Sequence, residues 1–119
     1  KKRRLFQKDN VYWKINKKEY DDLIEDHLPN DDHLIVTLGS AGASWNGMIY
    51  KPEPVKVFDV CGAGDTFLAA LVYKFLKTKD MKTSIMYANK AAAIAVTHPG
   101  AYHLTKKDIE SIGEKNEGN

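Results

Sequence analysis

The residues best suited to chemistry lie in one stretch, VFDVCGAGDTFLAALVYKFL, at positions 57–76. A short apolar run gives way at Cys61 to Gly62, Ala63 and Gly64, then to one carboxylate, Asp65, and then to an apolar helical pattern. A helix N-terminus carries unpaired N–H groups and about half a positive charge. Glycines ahead of it let the backbone approach a ligand closely and aim those donors at an anion. Gly62, Ala63 and Gly64 are therefore a candidate anion hole, with phosphate as its natural occupant. Asp65 has two readings. As a plain N-cap or first-turn acid it contributes about 1 kcal/mol to the helix. As a general base it takes the proton of a hydroxyl that attacks a phosphoryl group held by the amides. Phosphoryl transfer is catalysed mostly by positioning and charge stabilisation, so one such carboxylate suffices. Spacing alone leaves both readings open. A P-loop is excluded, because no G-x-x-x-x-G-K-[ST] occurs.

Several elements must position these residues. The pattern predicts a helix over 15–28, with Asn16 as N-cap and Glu19 at its third position. A buried strand running into a glycine loop is expected over 33–42. Asn46-Gly47 sits between two alternating segments, a strong hairpin signal. A further strand is expected over 52–60, edge-like at its prolines. The helix after Gly64 is apolar nearly all round and is expected to be buried. A second helix is expected over 81–97, stopping before Pro99-Gly100. A short helix capped by Thr105, with Asp108 at its third position, follows. The mixture points to an α/β architecture, a partial sheet of short strands with helices.

The 119 residues suit a single domain, 1–119, and 43% hydrophobic with 29% charged content suits a globular protein. A net charge of +2 gives no argument for nucleic acid. The apolar runs are too short to span a membrane, and no secretory signal pattern opens the chain. One cysteine, Cys61, excludes an internal disulfide. A cytoplasmic location follows as the expectation. Cys61 reads as a small residue donating its backbone. His27, His33, His98 and His103 lack the spacing of a zinc site. The basic run 1–4 reads as a solvated end, and the tail from Gly113 as loose. An opening of KKRRLFQKDNVYW, without Met or a clear first element, reads as the start of a piece of something longer.

The stretch DVCGAGDTF resembles the D-T-x-G-A-G-D signature of ribokinase-like, PfkB-family carbohydrate kinases, departing from it at Val60. VTLGSAGA at 36–43 looks like the family's nucleotide loop. YANKAAAIAVTHPGAY at 87–102 is similar to its adenine-side helix and turn. Asn16-Lys-Lys-Glu19 fits its N-x-x-E motif. The resemblance implies the C-terminal, ATP-side portion of such a kinase, with ATP and Mg²⁺ as cofactors and nucleotide and a small sugar as ligands. It makes Asp65 the catalytic base, with the amides of Gly62, Ala63 and Gly64 as the anion hole. By the same resemblance Thr37, Gly39, Ser40 and Gly42 would line the nucleotide, Asn89 would sit beside adenine, and Glu19 would hold Mg²⁺ or its waters. Carbonyls of Asp59, Cys61, His98, Gly100 and Ala101 are where potassium would bind. The wording DVCGAGDTFLAAL is similar to kinases acting on heptose 7-phosphate. Two other readings stand beside the kinase: a non-catalytic nucleotide- or phosphate-binding module, and a homodimer pairing through the Trp45 hairpin and an open sheet edge.

Overall fold

The computed structural model describes residues 11–23, 29–100 and 102–114. The chain divides into two compact units, Lys1–Lys51 and Pro52–Asn119, and each is described by itself.

The first unit is a four-stranded sheet in the order β1-β2-β3-β4. The strands are β1 (Trp13–Asn16), β2 (Leu34–Thr37), β3 (Ala43–Trp45) and β4 (Met48–Tyr50). β1 and β2 are parallel, joined through helix α1 (Lys17–Asp22), while β2-β3 and β3-β4 are antiparallel. β2 is the β-branched run anticipated in the sequence, and Leu34, Ile35 and Val36 are all buried, as a central strand requires. Leu34 and Val36 share one face, against which Trp13, Ile15 and Leu38 pack. The hairpin turns at Asn46 (φ 53°) and Gly47 (φ 84°). Two left-handed residues in succession make the type I′ turn whose twist matches the strands, which is why Asn-Gly stands there. Trp45 and Tyr50 lie with ring centroids 6.5 Å apart, and the Trp45 indole N–H donates to the Asp32 carbonyl. β1 is an element the sequence did not announce. α1 begins at the expected Asn16 cap, whose side chain accepts from the Glu19 N–H while the Glu19 carboxylate accepts from the Asn16 N–H. Leu23 caps α1 at its C-terminal end; the remainder of the expected helix, 24–28 with His27, lies outside the described residues.

The second unit is built on two helices, α2 (Ala63–Thr78) and α3 (Met81–Ala95), followed by α4 (Lys106–Ile109) and a π-helical turn, Glu110–Glu114. α2 buries Phe67, Leu71 and Lys74, spaced by four and three residues on one stripe. The Lys74 ammonium lies 4.7 Å from the centre of the Tyr87 ring, so its buried head is met by an aromatic face. α3 presents Ala88, Ala91 and Ala95, all buried, and small side chains of this kind let two helices approach closely. Tyr87, Ala91 and Ile112 form a core cluster with Ala70, Ile94 and Leu104 packed against it.

Two expectations are corrected here. The expected strand over 52–60 does not form. Pro52 and Pro54 have no N–H to give a ladder, and the Phe58 and Asp59 N–H groups both donate to the Val96 carbonyl, at 2.7 and 3.0 Å. Nor is α2 buried on every side: Leu68, Val72 and Leu76 are 42%, 48% and 63% exposed. Among the described residues no helix is long and apolar enough to cross a membrane.

Candidate active site

In the second unit the site begins where the 58–61 segment is fastened to the end of α3. Beyond the two bonds to Val96, the Asp59 carboxylate makes two more. Its Oδ1 accepts from the Cys61 N–H and its Oδ2 from the Gly100 N–H, each at 2.9 Å. These amides, Cys61's first and Gly100's second, hold the Asp59 carboxyl below the ordinary carboxylate value. The chain then turns on Gly62, whose φ of 76° and ψ of 1° are left-handed, a conformation glycine adopts without steric cost. The Thr66 N–H donates to the Gly62 carbonyl at 3.0 Å, starting α2.

Asp65 is the third residue of α2 and is exposed. It is not the N-cap, which is Gly62, and no side chain caps the helix. Its carboxylate accepts no hydrogen bond from the described residues. The N-cap reading of Asp65 therefore fails, while its place in the first turn still sets it against the helix dipole. Of the three amides expected to form an anion hole, that of Ala63 closes the turn by donating to the Val60 carbonyl at 3.1 Å. Cys61 is exposed and contributes its backbone to the Asp59 clamp.

The turn after α3 carries the expected His98 and Gly100. The His98 ring stacks on the Tyr102 ring, with centroids 3.7 Å apart and planes inclined by 5°. The Tyr102 hydroxyl donates to Asp108 Oδ2 at 2.6 Å, and the same oxygen accepts from the Thr105 N–H at 2.9 Å. The structure thus brings Asp59, Cys61, His98 and Gly100 into one neighbourhood; Ala101 lies outside the described residues. Asn89 is buried within α3, only 6% exposed.

In the first unit, Thr37 ends β2, and Gly39–Ala41 form a 3₁₀ turn closed by the Gly42 N–H on the Gly39 carbonyl. The Leu38 N–H donates to the Gly42 carbonyl at 2.7 Å, and Ser40 is exposed. Thr37 is the register partner of Asn16 on parallel β1. Glu19 and the glycine loop therefore both follow the C-terminal ends of parallel strands, where open α/β sheets place their ligands. Among the described residues no three His, Cys, Asp or Glu side chains converge as metal ligands. Mg²⁺ needs only one or two carboxylates when it arrives on phosphates, and exposed Glu19, one oxygen of which serves the cap, fits that limited demand.

The turn on left-handed Gly62 and the acid in the first turn of α2 belong to a chain of α/β class. Residues 11–108 match the pfkB family carbohydrate kinase profile, and the chain belongs to that family. It is 44% identical over 80 residues to the bifunctional protein HldE of a Nitratiruptor species, covering 65% of this chain and 17% of that protein. The ribokinase of Thermotoga maritima superposes with a TM-score of 0.69 at 25% identity, covering 85% of this chain and 41% of that one. A structure described as a ribokinase II from E. coli, in complex with ATP and Mg²⁺, gives a TM-score of 0.60 at 31% identity, with 69% and 29% covered. The fold is ribokinase-like. The chain spans less than half the length of each of these proteins.

Proposed function

We propose that this chain carries the phosphoryl-transfer residues of an ATP- and Mg²⁺-dependent kinase acting on the hydroxyl of a sugar or sugar phosphate. The observation that carries this reading is Asp65, an exposed acid with no bond to the described residues, standing at the head of α2 just beyond left-handed Gly62. Backbone donors of the turn stabilise charge on the phosphoryl oxygens, Gly62's foremost, while Ala63's secures the turn. Asp65 removes the proton of the attacking alcohol. Thr37, Gly39, Ser40 and Gly42 serve the nucleotide, and Glu19 the waters of its Mg²⁺. Bound Mg²⁺ would neutralise the nucleotide's phosphate charge. The similarity to the bifunctional protein HldE, and the wording of 59–71, favour a heptose 7-phosphate-type acceptor over a free sugar.

The test is a panel of sugars and sugar phosphates incubated with the full-length protein, since this portion alone is expected to be inactive, together with ATP and Mg²⁺, followed by ³¹P NMR for a new phosphomonoester. The expected result is transfer to a sugar phosphate. Nucleotide binding with no transfer to any acceptor would replace this reading with that of a nucleotide-binding module.

A further inference from the structure

We propose that Asp59 is a positioning residue for the phosphoryl-transfer turn, a role that rests on the reading above. Its carboxylate bonds both the turn entering α2 and the turn leaving α3. One oxygen holds the Cys61 N–H and the other the Gly100 N–H, the latter 41 residues away along the chain. The backbone around it is fastened at the same place, since the Phe58 and Asp59 N–H groups share the Val96 carbonyl. The segment leading to Gly62 is thereby tied to the end of α3 by its backbone and by this carboxylate together, and the Cys61 bond carries the tie into the turn itself.

The chemistry explains the residue type. Both partners are donors, so the clamp needs two acceptor oxygens on a short stem. An ionised carboxylate supplies them. Asparagine keeps the shape but offers one oxygen and one NH₂ group. Whichever way it turns, a donor faces a donor and one of the two ties is lost. Glutamate adds a methylene and moves both oxygens. With both oxygens held by main-chain amides, Asp59 is not a base for substrate. It acts through the turn: it fixes where the Gly62 amide stands relative to Asp65, three residues further on. A misplacement of about 1 Å in such a constellation costs on the order of 10²-fold in rate.

The experiment compares Asp59→Asn and Asp59→Ala with the unaltered protein by two measurements. Kinetics should show kcat falling by on the order of 10²-fold with little change in the KM for ATP, because the lost interaction is realised in the transition state. A role confined to folding would lower the folded fraction and leave KM and kcat per folded molecule unchanged; that result overturns the proposal. Backbone amide hydrogen exchange gives the second readout and needs no activity. In Asp59→Ala exchange at Cys61, Ala63 and Gly100 should accelerate, and in Asp59→Asn at whichever of the Cys61 and Gly100 amides loses its tie, while α3 amides stay protected. Unchanged exchange at Cys61 and Gly100 also overturns it. If the unaltered full-length protein transfers no phosphate, the kinase reading fails, and the exchange data alone decide the clamp.

Discussion

At the residue scale, two carboxylates divide the labour. Asp59 is fully engaged by backbone, and Asp65 is engaged by none of the described residues. A third, Asp108, anchors the region after α3. The Thr105 N–H, first, and the Tyr102 hydroxyl hold its carboxyl below the ordinary value. The same bond to Asp108 holds the Tyr102 phenol above its ordinary 10.0. The signs follow by linkage. A depressed acid contributes stability that is present above its unfolded value and is lost as pH falls through the folded one. A raised phenol contributes stability that is present below its unfolded value and is lost as pH rises through the folded one. The ties of Asp59 and Asp108 are therefore complete at neutral pH and weaken in acid, below the ordinary 3.8. The Tyr102 tie weakens only in strong alkali. NMR titration of the Tyr102 ring checks this: its ionisation should lie above 10.0 in the protein and move back towards that value in Asp108→Asn. Coincident titrations in the two proteins would contradict the hydrogen bond.

At the scale of elements, α2 has two unlike sides. Phe67, Leu71 and Lys74 face the interior, while Leu68, Val72 and Leu76 face outward. Leu71→Ala should cost about 2–5 kcal/mol in urea unfolding, whereas Leu76→Ala, at 63% exposure, should stay within about 0.5 kcal/mol. Equal costs would mean that the outward stripe is packed in solution. Elements specified by local chemistry were legible beforehand. Asn46-Gly47 announced its hairpin, and the Asn16/Glu19 and Thr105/Asp108 pairs formed the reciprocal caps that their spacing suggested. Elements specified at a distance were not. β1 is only four residues long and exists by pairing with β2, on the far side of α1 in the chain. The 52–60 segment has the alternation of a strand, but its amides are taken by a helix-end carbonyl that no local pattern reveals.

At the scale of the whole molecule, the pfkB match runs from 11 to 108, through both compact units. From Asp59-Val-Cys-Gly-Ala-Gly-Asp65 the glycine turn leading into a helix with an acid in its first turn was readable, whereas spacing left the work of that acid open. The family resemblance grouped Asp59 with Gly100 through their carbonyls, but nothing in the sequence showed that the Asp59 carboxylate would take the Gly100 N–H. Nor did spacing show that the Ala63 N–H would be spent on Val60. The account stands on Asp65 as the proton acceptor, and replacing that acid with its neutral isostere tests it most directly. In Asp65→Asn, turnover with the preferred sugar phosphate should fall by about 10²–10⁴-fold, while the Kd for ATP by calorimetry stays within about twofold, because the base contributes to the transition state and not to nucleotide binding. Turnover within a few-fold of the unaltered protein would contradict the account.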